Sequence, residues 1–178
     1  TVRATVIAGQ RILDGNGGAP IETGRLVIEN GRISAVGTQS AVTVPVGAAR
    51  VDAAGKTIMP AMINVHAHMG YEAYTTWGAR NHTAANLLDH LQREAFYGVV
   101  AATSVGSSPT EMSLQFQRDQ QAGKFPPAAR YLFMPGMAPP NGGPDHILRE
   151  ATNELHVINE VSTPEEARAA IRKMADQG

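Results

Sequence analysis

Cysteine is absent from the 178 residues, which excludes disulfides and thiolate metal sites alike. Any metal bound here must be held by nitrogen and oxygen. An excess of one charge is also missing. Fifteen Lys and Arg stand against 16 Asp and Glu, a net charge of −1, so nothing electrostatic points to nucleic acid or an anionic membrane surface. No run approaches the roughly 18 apolar residues of a membrane span. No signal peptide is visible, but the sequence starts at Thr1 rather than Met, so the compartment stays open. Fixed-period repeats and low-complexity stretches are lacking too. What is present is a globular composition, 43% hydrophobic and 17% charged. The length suits one ordinary domain, or a small domain with part of a larger one.

The pattern changes near Pro60. Before it the chain reads as β-rich: a short strand at "ATVIAG" (4–9), a hairpin at "RLVIENGRISAVG" (25–37), and a strand, turn at Gly55 and further strand in "ARVDAAGKTIM" (49–59). Asn30-Gly31 is a favoured pair for a two-residue type I′ turn. That turn sets Glu29 opposite Arg32, Ile28 opposite Ile33 and Leu26 opposite Ala35. After Pro60, strands and helices alternate. "AMINVH" (61–66), "VVAATSVG" (99–106) and "ARYLFM" (129–134) read as strands. "TAANLLDHLQREAFYG" (83–98) reads as a helix whose buried face carries Leu87, Leu88, Leu91, Ala95 and Phe96. "PTEMSLQFQRDQQAG" (109–123) starts near Pro109 and ends at Gly123. "STPEEARAAIRKMADQG" (162–178) has a capping Ser162 or Thr163, early glutamates, and Gly178 to close the helix. This order implies parallel β/α units. The stretch 135–162, rich in Gly and Pro, reads as an irregular cover over a pocket.

The chemistry-bearing feature is "NVHAHMG" (64–70). In a strand, residues i and i+2 share a face, with Cα atoms roughly 6.5 Å apart. Two imidazoles at that spacing can reach one cation at about 2.0–2.1 Å. A bare His-x-His also arises by chance. Its place at the carboxyl end of a buried strand favours the ligand reading, because open α/β sheets and β/α barrels carry their sites there.

"KTIMPAMINVHAHMG" resembles the first barrel strand of the amidohydrolase superfamily, which usually reads Pro-Gly, an apolar residue, then Asp-x-His-x-His. "VIENGRISAVG" and "VDAAGKTIMP" are similar to that superfamily's N-terminal β-sandwich, "REAFYGVVAATSVGS" to its second barrel strand, and "STPEEARAAIRKMADQG" to the helix before its metal-bridging lysine. The likeness spans nearly all of the chain and is nearest to the prolidase-like and imidazolonepropionase-like branches. It implies an α/β fold, a (β/α)8 TIM barrel with a β-sandwich segment over 1–57 and the first barrel units over 58–178. A whole barrel takes roughly 250 residues, so the remainder, with its C-terminal strands, is expected beyond Gly178.

The resemblance further implies one or two divalent metals, usually zinc, with His66 and His68 as first-strand ligands. A carboxylated lysine, two later histidines and a general acid/base aspartate are expected beyond Gly178, so no catalytic residue is assigned within this segment. The reaction implied is hydrolysis of a C–N bond in an amide, dipeptide, cyclic amide or carbamate. The alternatives are a single-metal deaminase, or a non-catalytic relative that binds a small ligand. Assembly into dimers or larger rings is common in the family. Two positions depart from its pattern: Asn64 replaces the aspartate before the first histidine, and Ser104 aligns with an aspartate at the end of the second strand. Both are expected to support the ligands by hydrogen bonding, Asn64 from the same face as His66, but neither adds a charge.

Tyr71, Tyr74, Trp77 and Arg80 follow the histidines directly. All four read either as a substrate wall or as packing of the loop against the rim, with Tyr71 and Trp77 the substrate-binding candidates. His146 reads either as a substrate contact or as a solvated loop residue, and His156 as the latter. His82 and His90 read as lying outside the site, with His90 facing solvent. "GNGG" (15–18) lacks the glycine spacing of a phosphate loop and is followed by Ala-Pro-Ile. "SSPT" (107–110) lacks the elbow of an activated serine and reads as a helix start.

Overall fold

The computed structural model describes residues 4–143 and 146–177, which divide into two compact units after Pro60. The first unit is one sheet. β1 (Ala4–Ile12) pairs antiparallel with β2 (Ile21–Glu29), which pairs with β3 (Arg32–Thr38). The other edge of β1 takes β4 (Ala49–Asp52) and β5 (Thr57–Ile58) in parallel. The β2–β3 turn forms at Asn30 and Gly31, with φ of 52° and 76°, as a type I′ turn requires. Glu29 pairs with Arg32 and Ile28 with Ile33, as expected. Beyond that the register shifts: Val27 faces Ala35 and Leu26 faces Val36 rather than Ala35. A bulge inserts one residue there and lets Val27 reach the small core it shares with Val6 and Val42.

The second unit is built from parallel β/α crossovers. β6 (Met62–Ala67) is followed by a two-stranded ribbon, β7 (Glu72–Ala73) with β8 (Thr76–Trp77), and a short 3-10 helix at Ala79–Asn81. Next come α1 (Ala84–Phe96), β9 (Val99–Val105), α2 (Thr110–Gln121) and β10 (Arg130–Met134). β6, β9 and β10 form a parallel sheet in sequential order, each neighbour joined through a helix. Thr83 starts α1 by accepting the Asn86 backbone N–H on its hydroxyl. Leu87 and Leu91 then lie fully buried with Ala102, Phe116, Ala129 and Tyr131, so the helices cover one face of the sheet. Phe96, expected on that face, is 82% exposed. It lies in the last turn of α1, where the chain bends back through Tyr97 and Gly98 into β9.

The stretch expected to be irregular is ordered. β11 (Gly136–Ala138), α3 (His146–Glu154) and β12 (Ile158–Glu160) make a further parallel crossover, and Leu148 and Ala151 of α3 pack with Tyr71. α4 (Pro164–Gln177) is the last described element. Its capping box is complete: Thr163 Oγ1 accepts the Glu166 N–H, and Glu166 Oε2 accepts from the backbone of Ser162 and Thr163. Gly178, expected to close this helix, lies outside the described residues.

Candidate metal centre

His66 and His68 stand at the carboxyl end of β6, the end where β9 delivers Ser104 and the turn after it delivers Ser107. Their rings are adjacent and nearly perpendicular, with centroids 5.2 Å apart and planes at 85°, and both residues are exposed. The Nδ1 of His68 lies 3.0 Å from Ser107 Oγ. A hydrogen bond at one ring nitrogen fixes the tautomer and so decides what the other can do, which is how metal-binding imidazoles are usually oriented.

A register shift between Asn64 and Ala67 interrupts the β6–β9 pairing. The alternation that should put Asn64 beside His66 is therefore broken. The Asn64 amide donates to Glu94 Oε1 on α1 at 2.8 Å, and its oxygen accepts the His66 backbone N–H at 3.2 Å. Asn64 thus braces the backbone of His66 and ties the strand end to α1, and its amide is not spent on the ring. Past the bulge, Ala67 and Met69 turn to the helix-covered side, and Met69 is buried in the core.

Ser104 is fully buried opposite Ala67. Its Oγ accepts from the Met69 N–H at 3.3 Å and from Ser108 Oγ at 2.8 Å, and lies 3.4 Å from Ser107 Oγ. Ser113 and Tyr131 continue this buried hydroxyl cluster. Burial holds the Tyr131 phenol above the ordinary tyrosine range. Ser104 therefore reaches His68 through Ser107. The pattern of "SSPT" shows a helix start and gives no sign of Ser107's role, because clustered hydroxyls leave no periodic mark in a sequence.

As for a cation, the fit is partial and specific. The donor set is two imidazoles side by side, one with its Nδ1 already held by a hydroxyl, which suits a borderline metal such as zinc. Among the described residues, no group of three or more His, Asp or Glu side chains could hold a metal ion, so the pair supplies two corners of a site.

No family model matches the chain. A curated relative, the 5-methylthioadenosine/S-adenosylhomocysteine deaminase of Symbiobacterium thermophilum, is 38% identical over 64 residues, 35% of this chain and 15% of that protein. Among solved structures, the A. niger ochratoxinase superposes with a TM-score of 0.75 at 16% identity, over 99% of this chain and 45% of that one. Molinate hydrolase gives 0.71 at 22% identity, over 99% and 44%. A Xaa-Pro dipeptidase with methionine bound in its active site gives 0.70 at 19%, over 98% and 45%. These neighbours are enzymes of the amidohydrolase family. The chain has the fold of part of an amidohydrolase. It spans less than half the length of the solved structures it matches.

In this amidohydrolase fold the loop after His68 is anchored by aromatic packing. Tyr71, one of the two readings of which was a substrate wall, is fully buried and donates its hydroxyl to the Ser107 carbonyl. Burial raises its pKa well above the ordinary tyrosine value. Its ring stacks on Trp77 at 5.5 Å and meets His82 edge-on at 5.0 Å. Tyr71 is therefore the loop's anchor. Trp77 is 44% exposed and, with Arg80, Glu150 and Glu154, lines a cavity of about 440 Å3. The side chain of His146 lies outside the described residues. His156 is exposed in the turn after α3.

The two remaining histidines depart from expectation in different ways. His90 is half-buried rather than turned out to solvent: its Nδ1 accepts the Gly70 N–H, and its Nε2 lies 2.8 Å from the Glu72 carbonyl, so it staples the loop to α1. His82 is 8% exposed, with neither ring nitrogen paired, and burial holds its pKa down to about 4.

Proposed function

We propose that this chain supplies the first two metal ligands of a hydrolase that cleaves a carbon–nitrogen bond, within a (β/α)8 barrel preceded by a β-sandwich. The observation that carries the reading is the perpendicular His66–His68 pair at the carboxyl end of β6. The sequential parallel order β6-β9-β10, with a helix in each crossover, supports the barrel. The neighbours named Xaa-Pro dipeptidase and molinate hydrolase support the bond class.

His66 and His68 would hold a divalent cation, with zinc the best match to neutral nitrogen donors. When bound, such a cation polarises a carbonyl and makes water acidic enough to serve as a nucleophile near neutral pH. The rest falls to this chain's own side chains. Ser107 holds the His68 ring at Nδ1. Asn64 holds the His66 backbone through Oδ1 and Glu94 through Nδ2. Tyr71 fixes the loop that follows, leaving Tyr74 and Trp77 as aromatic surfaces open to a small-molecule substrate.

Deamination is the second reading. It is favoured by the curated deaminase match and by the neutral residues, Asn64 and Ser104, at two positions where the family pattern carries aspartate. The full-length protein separates the two in one screen of N-acyl amino acids, dipeptides, cyclic amides and a 6-aminopurine nucleoside, before and after chelation. Hydrolysis of an amide, lost on chelation and restored by zinc, supports the first reading. Ammonia release from the nucleoside alone supports the second. Turnover indifferent to chelation overturns both.

A further inference from the structure

We propose that Ser107 is the positioning residue of His68: its hydroxyl accepts the Nδ1–H and so selects the tautomer that carries its lone pair on Nε2, the form able to ligate a cation there. The inference rests on the metal-site reading above and assigns a role to a serine outside the ligand pair. The geometry comes first. Ser107 Oγ lies 3.0 Å from His68 Nδ1, and Ser107 is fully buried. It is gripped from both ends, because its carbonyl accepts the Tyr71 hydroxyl while its own hydroxyl faces the ring.

Donor counting then shows that Ser107 has the capacity to accept. A serine oxygen has one proton and two lone pairs. Ser104 Oγ accepts the Met69 N–H and the Ser108 O–H, which fills both lone pairs. In its contact with Ser107 Oγ, 3.4 Å away, Ser104 can therefore only donate. That leaves Ser107 with its own proton and one lone pair, and only the lone pair, by taking the Nδ1–H, leaves His68 Nε2 without a proton and able to ligate a cation. The hydroxyl chain Ser108 to Ser104 to Ser107 runs its protons toward Ser107, whose own hydroxyl proton must then point away from the histidine. A neutral acceptor orients the ring without adding charge beside it, unlike the carboxylates that often hold metal-binding histidines.

The test uses the full-length protein with the metal removed. Long-range proton–nitrogen spectra of 15N-histidine protein report which His68 nitrogen carries hydrogen, and zinc affinity is read by competition with a chromophoric chelator. The unaltered protein should show His68 as Nδ1–H. Ser107→Ala should mix the tautomers and weaken zinc about 10–100-fold, with Ser107→Thr, which keeps the hydroxyl, restoring most of the loss. An Nε2–H tautomer in the unaltered protein overturns the proposal whether or not any variant folds. If His68→Ala abolishes zinc binding while Ser107→Ala leaves tautomer and affinity unchanged, the metal site stands and the role of Ser107 falls. If His68→Ala keeps zinc affinity, the metal-site reading itself falls.

Discussion

Asn64 stands where the amidohydrolase pattern has an aspartate, and its surroundings account for the change. Its amide nitrogen donates to Glu94 Oε1 at 2.8 Å, a contact a carboxylate would turn into repulsion. Asn64→Asp is therefore expected to destabilise the protein by about 1–3 kcal/mol, the cost of losing a part-buried hydrogen bond and setting like charges together. The double variant Asn64→Asp/Glu94→Gln should recover most of it, and urea midpoints decide the matter.

His82 makes a second case at the same scale. Desolvation lowers its pKa from the ordinary 6.5 to about 4, with His90 nearby adding to the effect. A depressed folded pKa means the unfolded chain binds the proton more readily. The stabilisation is then complete above pH 6.5 and is lost as pH falls toward 4, on the order of 2–3 kcal/mol. His82→Leu should flatten the difference between urea midpoints at about pH 7.5 and about pH 4.5, and an unchanged slope would refute the assignment.

Among elements, the histidine strand and its turn were legible because their rules are local. His-x-His spacing, the small residue between, and a glycine two positions on all follow from pleat and turn geometry. The Asn30-Gly31 hairpin was legible for the same reason, as was the capping box of α4. The bulges were not. The register shifts at Val27/Ile28 and after Asn64 depend on which side chains the core accepts, and they overturned two facing assignments. The crossover β11–α3–β12 was hidden by the glycines and prolines around it. The role of His90 was hidden because helix periodicity gives a direction but not the loop that folds over it. Gly70 offers a direct check on that loop. Its φ is +93°, and an added Cβ would sit 2.9 Å from the His82 ring. Gly70→Ala should cost about 1–3 kcal/mol in stability and loosen the Tyr71 loop, seen as faster hydrogen exchange at residues 71–82.

For the molecule as a whole, one face of the parallel sheet stays bare. Ile63 is 59% exposed, Val65 72% and Met134 54%, in strands whose other face packs against α1 and α2. Apolar strand residues exposed in such a group behave as an interaction or aggregation surface. The 178-residue chain prepared alone is expected to bind a hydrophobic dye and self-associate, with no sharp cooperative melting as a monomer. Monomeric, dye-silent material with a sharp transition would contradict this. The mixed α/β class and the order of the β/α units were legible because alternation of strand and helix is a long-range pattern. The hydroxyl cluster behind His68 was not, because it is assembled only when β6, β9 and β10 pair.

The claim that everything else leans on is that His66 and His68 share one divalent cation. Elemental analysis of the purified full-length protein, beside His66→Ala and His68→Ala of equal folded content, tests it most directly. The account predicts close to stoichiometric divalent metal in the unaltered protein and a loss of the ion bound at this pair in each variant. Full metal content in either variant would contradict it.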